Sequence, residues 1–312
     1  MTEMRFDGRT VIVTGAGRGV GRSYAHFFAG RGACVVVADI GGEIDGTGAS
    51  SGPADDVVTE IKAAGGEATA CLASVAEEDG AAAIVQTAID AYGRVDVVVN
   101  NAGIADPGPF ADEPLDRFRR MIDVHYLGSV YVTKAAWPHM VDAGYGRIVN
   151  TCSEAALGTV PNSVSYGGAK GAVLGLTRSL AIDAPRWGIR VNGVLPRAMT
   201  RLAAPAVRAK AFDVPEETLA ANSTGDKFGP DLVSPAAAFL AHESCQLNGE
   251  MFVAGGGQVF RVALVVNEGI ASETNLTPEF IADNLDALLD LSTGHAVEAV
   301  ALRPVKPPLL RE

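Results

Sequence analysis

The sequence predicts an α/β fold in which one doubly wound parallel sheet of about seven strands is flanked by helices. Short apolar runs alternate with helical stretches along the chain, which is typical of this class. The runs are rich in valine, as expected for strands that are covered on both faces. The 312 residues contain no internal repeat and no low-complexity linker before about Gly257, so we expect a single domain with a sizeable core.

The first half of the chain contains four predicted strands. The β-branched run Thr10–Val13 leads into a glycine-rich turn, and a helix is expected over Gly19–Gly30. A loop rich in glycine and serine occupies Gly41–Pro53. The other elements predicted here are strands Ala33–Ala38, Ala68–Leu72 and Val95–Val99, and helices near Ala54–Ala64 and Glu77–Tyr92.

The second half begins with a long helix predicted near Glu113–Trp137, and another helix near 165–185 follows it. Strands are predicted at Arg147–Thr151, Ile189–Val194 and Glu250–Ala254, and the last is expected to close the sheet.

Residues 258–312 are expected to form a C-terminal extension, packed on the same domain 1–257 or on a partner subunit. Within it Thr277 is a plausible helix N-cap, and Pro278 suits the first helical turn.

Composition excludes several functional classes. A formal net charge of −12 argues against binding to nucleic acid or an anionic membrane, because phosphate binding requires clustered lysine and arginine. The four cysteines are scattered, so neither a metal site nor a disulfide framework is expected. No run approaches the roughly 18 apolar residues of a membrane-spanning helix. The first residues lack an apolar signal core and the last lack a peroxisomal address, so we expect a cytoplasmic protein.

The glycines of the turn after the first strand have the spacing that a pyrophosphate requires. Gly15 allows a tight turn, and Gly19 and Gly21 allow close approach to a helix N-terminus with free N–H groups. Asp39 ends the second strand about twenty residues later, where a carboxylate accepts hydrogen bonds from ribose hydroxyls and repels a 2′-phosphate. The pattern therefore predicts NAD as the cofactor.

The spacing of Tyr166 and Lys170 predicts proton chemistry on an alcohol or a carbonyl. Residues four apart on a helix share one face, so the ammonium lies beside a phenol whose ordinary pKa near 10 is too high for a base at neutral pH. We expect the positive charge to lower the pKa of the phenol. Ser153 precedes the tyrosine by thirteen residues.

The glycine turn, Asn100-Asn101-Ala102-Gly103, Ser153 and the Tyr166/Lys170 pair follow one another along the chain. In this order and spacing the chain resembles the short-chain dehydrogenase/reductase family over roughly residues 5–257. The resemblance implies a Rossmann fold. It also implies that Tyr166 is the acid/base, that Ser153 holds the substrate oxygen, and that Lys170 binds the nicotinamide ribose. The residues implied to bind the cofactor are Gly15, Arg18, Gly19, Val20, Gly21, Asp39, Ser74, Val75, Asn101, Ala102, Gly103, Tyr166, Lys170 and Thr200, with Asn100 lining the same site.

The chain departs from the family pattern at three places. His125 stands where the family usually has an asparagine that supports a water beside the catalytic lysine, so His125 is a candidate catalytic residue or a buried core histidine. Pro196-Arg197 replaces a usual Pro-Gly near the nicotinamide. Ser74-Val75 replaces an Asp-Val that commonly contacts adenine.

Several further segments, among them Val36–Gly42, Ala136–Met140 and His242–Gly249, are similar to the dehydrogenase unit of peroxisomal-type multifunctional β-oxidation enzymes. That similarity implies an NAD-dependent dehydrogenase of 3-hydroxyacyl-CoA or of hydroxysteroid-type substrates, and a homodimer or homotetramer. The alternatives are an NADPH-dependent 3-oxoacyl reductase and a non-catalytic dinucleotide-binding protein. The apolar residues around 154–162 and 197–228 suit a hydrophobic substrate.

Overall fold

The computed structural model describes residues 3–220, 225–272 and 276–299, and its centre is an eight-stranded sheet. The strands are β1 Thr10–Thr14, β2 Cys34–Ala38, β3 Glu67–Cys71, β4 Val97–Asn100, β5 Gly146–Thr151, β6 Ile189–Pro196, β7 Met251–Gly255 and β8 Gln258–Val262. They lie in the order β3-β2-β1-β4-β5-β6-β7-β8, and all pairs are parallel except β7 with β8. This is the predicted Rossmann order, with its switch point between β1 and β4.

Helices connect the strands and lie on both faces of the sheet. The α-helices are α1 Gly19–Gly30, α2 Gly52–Ala63, α3 Glu78–Tyr92, α4 Leu115–Met121, α5 Gly128–Ala143, α6 Val164–Asp183, α7 Pro205–Phe212, α8 Glu216–Ala220, α9 Ser234–Ala241, α10 Pro278–Asp283 and α11 Leu285–Leu289. Short 3₁₀ turns occupy Phe110–Asp112, Glu154–Leu157, Ala184–Trp187, Arg201–Ala203, Gly225–Phe228 and Pro230–Leu232. Strands β9 Val265–Val266 and β10 His295–Ala296 pair separately.

Alternate residues of β1 divide between two apolar cores. Val11 and Val13 pack with α1, α2 and α9 on one face, whereas Ile12 packs with α3 and α5 on the other. All three side chains are fully buried, and burial of each stabilises the fold by about 1.5–3 kcal/mol. The two-sided cover explains why the strand sequences are continuously apolar.

The prediction of one long helix near Glu113–Trp137 has the wrong end. The helical backbone runs from α4 through a π-helical segment, Ile122–Leu127, into α5 without a break. Helix α5 continues through Pro138 to Ala143, because buried Ala136 and Met140 hold both sides of the proline against the core. Proline usually ends a helix since it lacks an N–H donor, but packing outweighs that loss here.

The prediction that a strand at Glu250–Ala254 closes the sheet is also wrong, because β8 pairs antiparallel beyond β7. Gly256 and Gly257 form the two-residue turn between them, both at positive φ, 59° and 76°. Two consecutive positive φ values favour glycine and match the twist of a tight hairpin. The Gly-Gly pair was therefore a sequence signal for the eighth strand.

The described part of the C-terminal extension supplies β8 to the main sheet and contacts the rest of the domain. Arg261 of β8 donates to both carboxylate oxygens of Glu250 at 2.7 and 2.9 Å, and Arg178 of α6 donates to the Val297 carbonyl. Thr277 caps α10 by accepting from the Phe280 N–H at 3.1 Å, which confirms the predicted helix start. The division of the chain at residue 257 stays a prediction, and residues 300–312 lie outside the described part.

Within the described ranges, none of the helices has the length and apolar character that crossing a membrane requires. No group of three or more His, Cys, Asp or Glu side chains gathers there as a metal site either. The four cysteines are free thiols.

Candidate active site

The carboxyl ends of the parallel strands meet at one edge of the sheet, and the predicted site residues follow those ends. The turn after β1 holds the three glycines, Asp39 follows β2, and Asn101 follows β4. Ser153 comes shortly after β5, and Thr200 follows β6. Ligands of open α/β sheets bind in the crevice at this edge, next to the strand-order switch.

The glycine turn has a backbone that side chains would block. Gly15 and Gly19 have φ values of 63° and 56°. A Cβ on Gly21 would lie 2.0 Å from the Gly15 carbonyl oxygen. The Arg18 side chain at the N-cap position makes no capping hydrogen bond to α1, so the first N–H groups of the helix can face an anion. The turn therefore fits a pyrophosphate.

Thr14 and Asn101 fasten this turn to the loop after β4. The Thr14 hydroxyl accepts from the backbone N–H groups of Asn101 and Ala102, both at 3.0 Å. The Asn101 amide donates to the carbonyls of Thr14 at 2.9 Å and Gly15 at 3.1 Å. Asn101 thus shapes the floor of the crevice. Sequence reasoning missed Thr14, although a hydroxyl residue between a strand and a glycine was the available signal.

Asp39 is held by two backbone N–H groups. One carboxylate oxygen accepts from Gly17 at 2.7 Å and the other from Gly41 at 2.6 Å. A carboxylate has about four acceptor positions, so two remain for ribose hydroxyls. Gly17 was not predicted as a site residue, yet a Cβ there would lie 2.9 Å from the Asp39 carboxylate.

Three further predicted cofactor residues surround the turn. Arg18 donates to the Gly42 carbonyl at 3.2 Å, which ties the turn to the loop after Asp39. Val20 is partly buried against the core. Thr200 lies over the turn, because a Cβ on Gly19 would be 3.3 Å from its methyl group.

The Ser74 and Val75 side chains make local contacts. The Ser74 hydroxyl accepts from the Ala76 N–H at 3.2 Å. Val75 packs where α5 begins, since a Cβ on Gly128 would be 2.9 Å from its methyl carbon.

Asn100 lies in a buried chain of hydrogen bonds. Its amide donates to Thr133 of α5 at 3.0 Å and to Asn150 of β5 at 2.9 Å, and Asn150 donates to Thr177 of α6 at 2.9 Å. The network joins β4 and β5 to the two helices behind the site. Its contacts place Asn100 in the supporting core.

Helix α6 brings Tyr166 and Lys170 to the same face, as predicted. The Lys170 ammonium is 5.9 Å from the centre of the tyrosine ring and donates to the Thr151 carbonyl at 2.7 Å. Only 4% of Lys170 is exposed. Burial disfavours the charged form and lowers the pKa of the lysine to about 8.

The expectation that the Tyr166 pKa lies below its ordinary value is wrong in this structure. Burial raises the pKa of the phenol, and a hydrogen bond with Ser153 opposes that rise without cancelling it. The phenol is therefore a proton donor at neutral pH. The Ser153 hydroxyl also accepts from the Ala155 N–H at 3.1 Å, which fixes the start of the following 3₁₀ turn.

His125 lies in the π-helical segment, and 1% of it is exposed. Its Nε2 atom is 2.9 Å from the Ile104 carbonyl oxygen, and its ring meets the Tyr166 ring edge-on at 5.3 Å. Nδ1 is buried without a hydrogen-bond partner among the described residues, and the ring lies against Gly103. Burial, helped by the Lys170 charge, holds the His125 pKa well below its usual value, so the ring is neutral.

Sequence reasoning missed an ion pair next to Ser153. Arg197 follows β6 and donates to both carboxylate oxygens of Glu154, at 2.8 and 2.6 Å. The guanidinium also lies 5.3 Å from the centre of the Phe260 ring on β8. Opposite charges 43 residues apart in sequence gave no signal of this contact.

A family model described as short chain dehydrogenase matches residues 9–210. A short-chain type dehydrogenase/reductase of Mycobacterium tuberculosis is 40% identical, over 91% of this chain and 95% of that protein. Peroxisomal multifunctional enzyme type 2 of Mus musculus is 39% identical over 95% of this chain, and the match spans only 39% of that enzyme.

A solved structure of 7α-hydroxysteroid dehydrogenase, in complex with NADH and 7-oxoglycochenodeoxycholic acid, resembles the chain with a TM-score of 0.70 and 32% identity. The likeness covers 82% of this chain and 98% of that one.

Replacing Gly21 with alanine is expected to weaken NADH binding at least about tenfold, because the added methyl group would separate the turn from the helix that faces the phosphates. Fluorescence titration with NADH measures the change. The matched control is Gly30→Ala at the other end of α1, where a Cβ meets nothing within 4 Å. Equal NADH affinity of the two variants would show that this turn does not hold the dinucleotide.

Proposed function

Because the chain belongs to the short-chain dehydrogenase family, we propose that it is an NAD-dependent oxidoreductase that interconverts a secondary alcohol and a ketone. The proposed substrate is hydrophobic, of the 3-hydroxyacyl-CoA or hydroxysteroid type. The observation that carries the proposal is the convergence of Ser153, Tyr166 and Lys170 at the sheet edge that also holds the glycine turn and Asp39.

In the proposed reaction Tyr166 moves the proton. During oxidation the tyrosinate takes the proton of the substrate hydroxyl, and during reduction the phenol returns it to the carbonyl oxygen. Ser153 holds that oxygen by donating a hydrogen bond, and it already lies within hydrogen-bonding range of the phenol. Bound NAD would accept the hydride from the substrate carbon.

Lys170 has two proposed tasks, binding the nicotinamide ribose and favouring the tyrosinate through its charge. The Thr151 carbonyl holds the ammonium in place at 2.7 Å. Because burial lowers the pKa of Lys170 to about 8, the residue is still mostly charged at pH 7.

His125 is proposed to support Tyr166 without transferring protons itself. Its neutral ring lies edge-on to the phenol ring, and Nε2 is engaged by Ile104. A neutral imidazole whose pKa lies well below its usual value is a poor proton donor at neutral pH. The Nδ1 atom has no hydrogen-bond partner among the described residues, so in the neutral ring it can accept a hydrogen bond.

The choice of NAD over NADP rests on Asp39. Its carboxylate is held where two N–H groups converge, and a 2′-phosphate would meet its negative charge. Arg18, whose place in the turn makes it a candidate phosphate partner, donates to the Gly42 carbonyl at 3.2 Å. The contacts thus favour NAD over the NADPH-dependent 3-oxoacyl reductase alternative.

The substrate proposal is supported by apolar side chains near Ser153 and by the relatives. Leu157, on the 3₁₀ turn that follows Ser153, and Phe260, beside the Arg197 guanidinium, are each 43% exposed. A mouse relative is a peroxisomal multifunctional enzyme, and the structure with a bound steroid acid is also similar to the chain.

A homodimer or homotetramer is part of the proposal, with exposed Val164 and Ile182 of α6 as candidate contacts.

Replacing Tyr166 with phenylalanine is expected to lower kcat for alcohol oxidation by at least about a thousandfold, because the proton acceptor is lost. NADH affinity should change by less than about twofold, since the ring remains. Tyr92→Phe on α3 is the control. Retained turnover in Tyr166→Phe would contradict the assignment of the acid/base.

Asp39 is expected to make the enzyme prefer NADH over NADPH, and Asp39→Ser should reduce that preference by about tenfold or more. Titrating both nucleotides into the wild type and the variant measures the change. Tighter binding of NADPH by the wild type would favour the reductase alternative.

The rate of oxidation is expected to rise with pH between about 6 and 8, the range in which Lys170 keeps most of its charge. Burial raises the Tyr166 pKa, so the reactive tyrosinate is scarce at neutral pH and grows as pH increases. Reduction uses the phenol, which stays protonated over the same range, so its rate should not rise. Profiles of kcat/KM in both directions check this, and pH-independent oxidation would count against Tyr166 as the base.

A further inference from the structure

The Arg197–Glu154 ion pair joins two segments that the proposed function places beside the substrate. Glu154 directly follows Ser153, whose hydroxyl accepts from the Ala155 N–H of the same 3₁₀ turn. Arg197 directly follows β6, and its backbone N–H donates to the Ala254 carbonyl of β7 at 2.8 Å. The pair is therefore a direct link between the segment that presents Ser153 and the end of β6.

The geometry of the pair is that of a rigid two-point connection. Both guanidinium nitrogens that face Glu154 donate, at 2.8 and 2.6 Å, and such a fork fixes orientation as well as distance. The Phe260 ring covers the guanidinium at 5.3 Å, so the β7–β8 hairpin supports the pair from the side. The hydrogen bond with Arg197 lowers the pKa of Glu154, and the hydrogen bond with Glu154 raises the pKa of Arg197, so both groups stay charged.

The pair is too exposed to contribute much to folding. Arg197 is 41% and Glu154 is 28% exposed, and exposed pairs contribute little because water screens them. A positional role is the better explanation of its bidentate geometry. Three residues beyond Arg197, Thr200 lies over Gly19 of the dinucleotide turn. The pair thus connects Ser153, which is proposed to hold the substrate oxygen, to the 197–200 segment, which lies beside the dinucleotide turn.

We propose that Arg197 and Glu154 are positioning residues, which set Ser153 relative to the 197–200 segment and so align the substrate oxygen with the nicotinamide. The proposal rests on the proposed oxidoreductase function. It predicts that losing either charge slows the chemical step, because small displacements of aligned groups are costly in rate. Cofactor affinity should change less than the rate, since the hydrogen bonds of Arg197 and Glu154 are made to each other and not to the glycine turn.

The test compares Arg197→Gln, Glu154→Gln and the double variant with the wild type. Each single change is expected to lower kcat about tenfold, with the NADH dissociation constant within about twofold. The double variant should be no slower than the singles, because both remove the same contact. The charge-reversed pair Arg197→Glu with Glu154→Arg should recover part of the rate. Circular dichroism establishes that each variant is folded.

The matched control is Arg261→Gln. Arg261 and Glu250 form another bidentate pair on the same hairpin, but Glu250 lies at the amino end of β7, away from Ser153. The kcat of the Arg261→Gln variant should stay within about twofold of the wild type.

Two results would overturn the proposal. Losses in the two single variants that multiply in the double variant would show that the residues act separately. A raised KM for anionic, CoA-linked substrates with unchanged kcat would show that Arg197 binds the substrate directly. If the wild type turns over no alcohol at all, the proposed function fails instead, and NADH titration still reports whether the variants alter the cofactor site.

Discussion

The parallel pairing of β1 with β4 is the contact on which the site depends. Chain connections run in opposite directions from these two strands, so a crevice forms at their carboxyl ends. The Thr14 hydroxyl joins the two sides of the crevice, because it accepts from the N–H groups of Asn101 and Ala102 in the loop after β4. This contact fixes the distance between the glycine turn and the loop around Gly103. The His125 ring packs against Gly103.

Burial of a charge is the second constraint. Lys170 is almost completely enclosed, and the Thr151 carbonyl is the acceptor that offsets part of the cost of removing the ammonium from water. The same enclosure raises the pKa of Tyr166 and lowers that of His125. One low-dielectric region therefore keeps Tyr166 protonated and His125 neutral at pH 7, and it brings the pKa of Lys170 down to about 8.

Much of this arrangement could be predicted because it follows from local patterns. Valine runs and glycine spacing predicted the sheet and the turn, and the four-residue separation of Tyr166 and Lys170 predicted their common face. Contacts between distant segments could not be predicted. The Arg197–Glu154 pair, the π-helical segment around His125 and the continuation of α5 through Pro138 all depend on tertiary packing. The direction of the Tyr166 pKa depends on burial, which the sequence does not reveal.

We propose that this crevice oxidises a hydrophobic secondary alcohol with NAD. The most direct measurement is NADH formation, followed by absorbance, when the purified chain and NAD are offered a series of 3-hydroxyacyl-CoA thioesters beside a panel of hydroxysteroids. We expect NADH to form with at least one of these classes and not with NADP in place of NAD. Binding of NAD without turnover of any alcohol in either series would contradict the account.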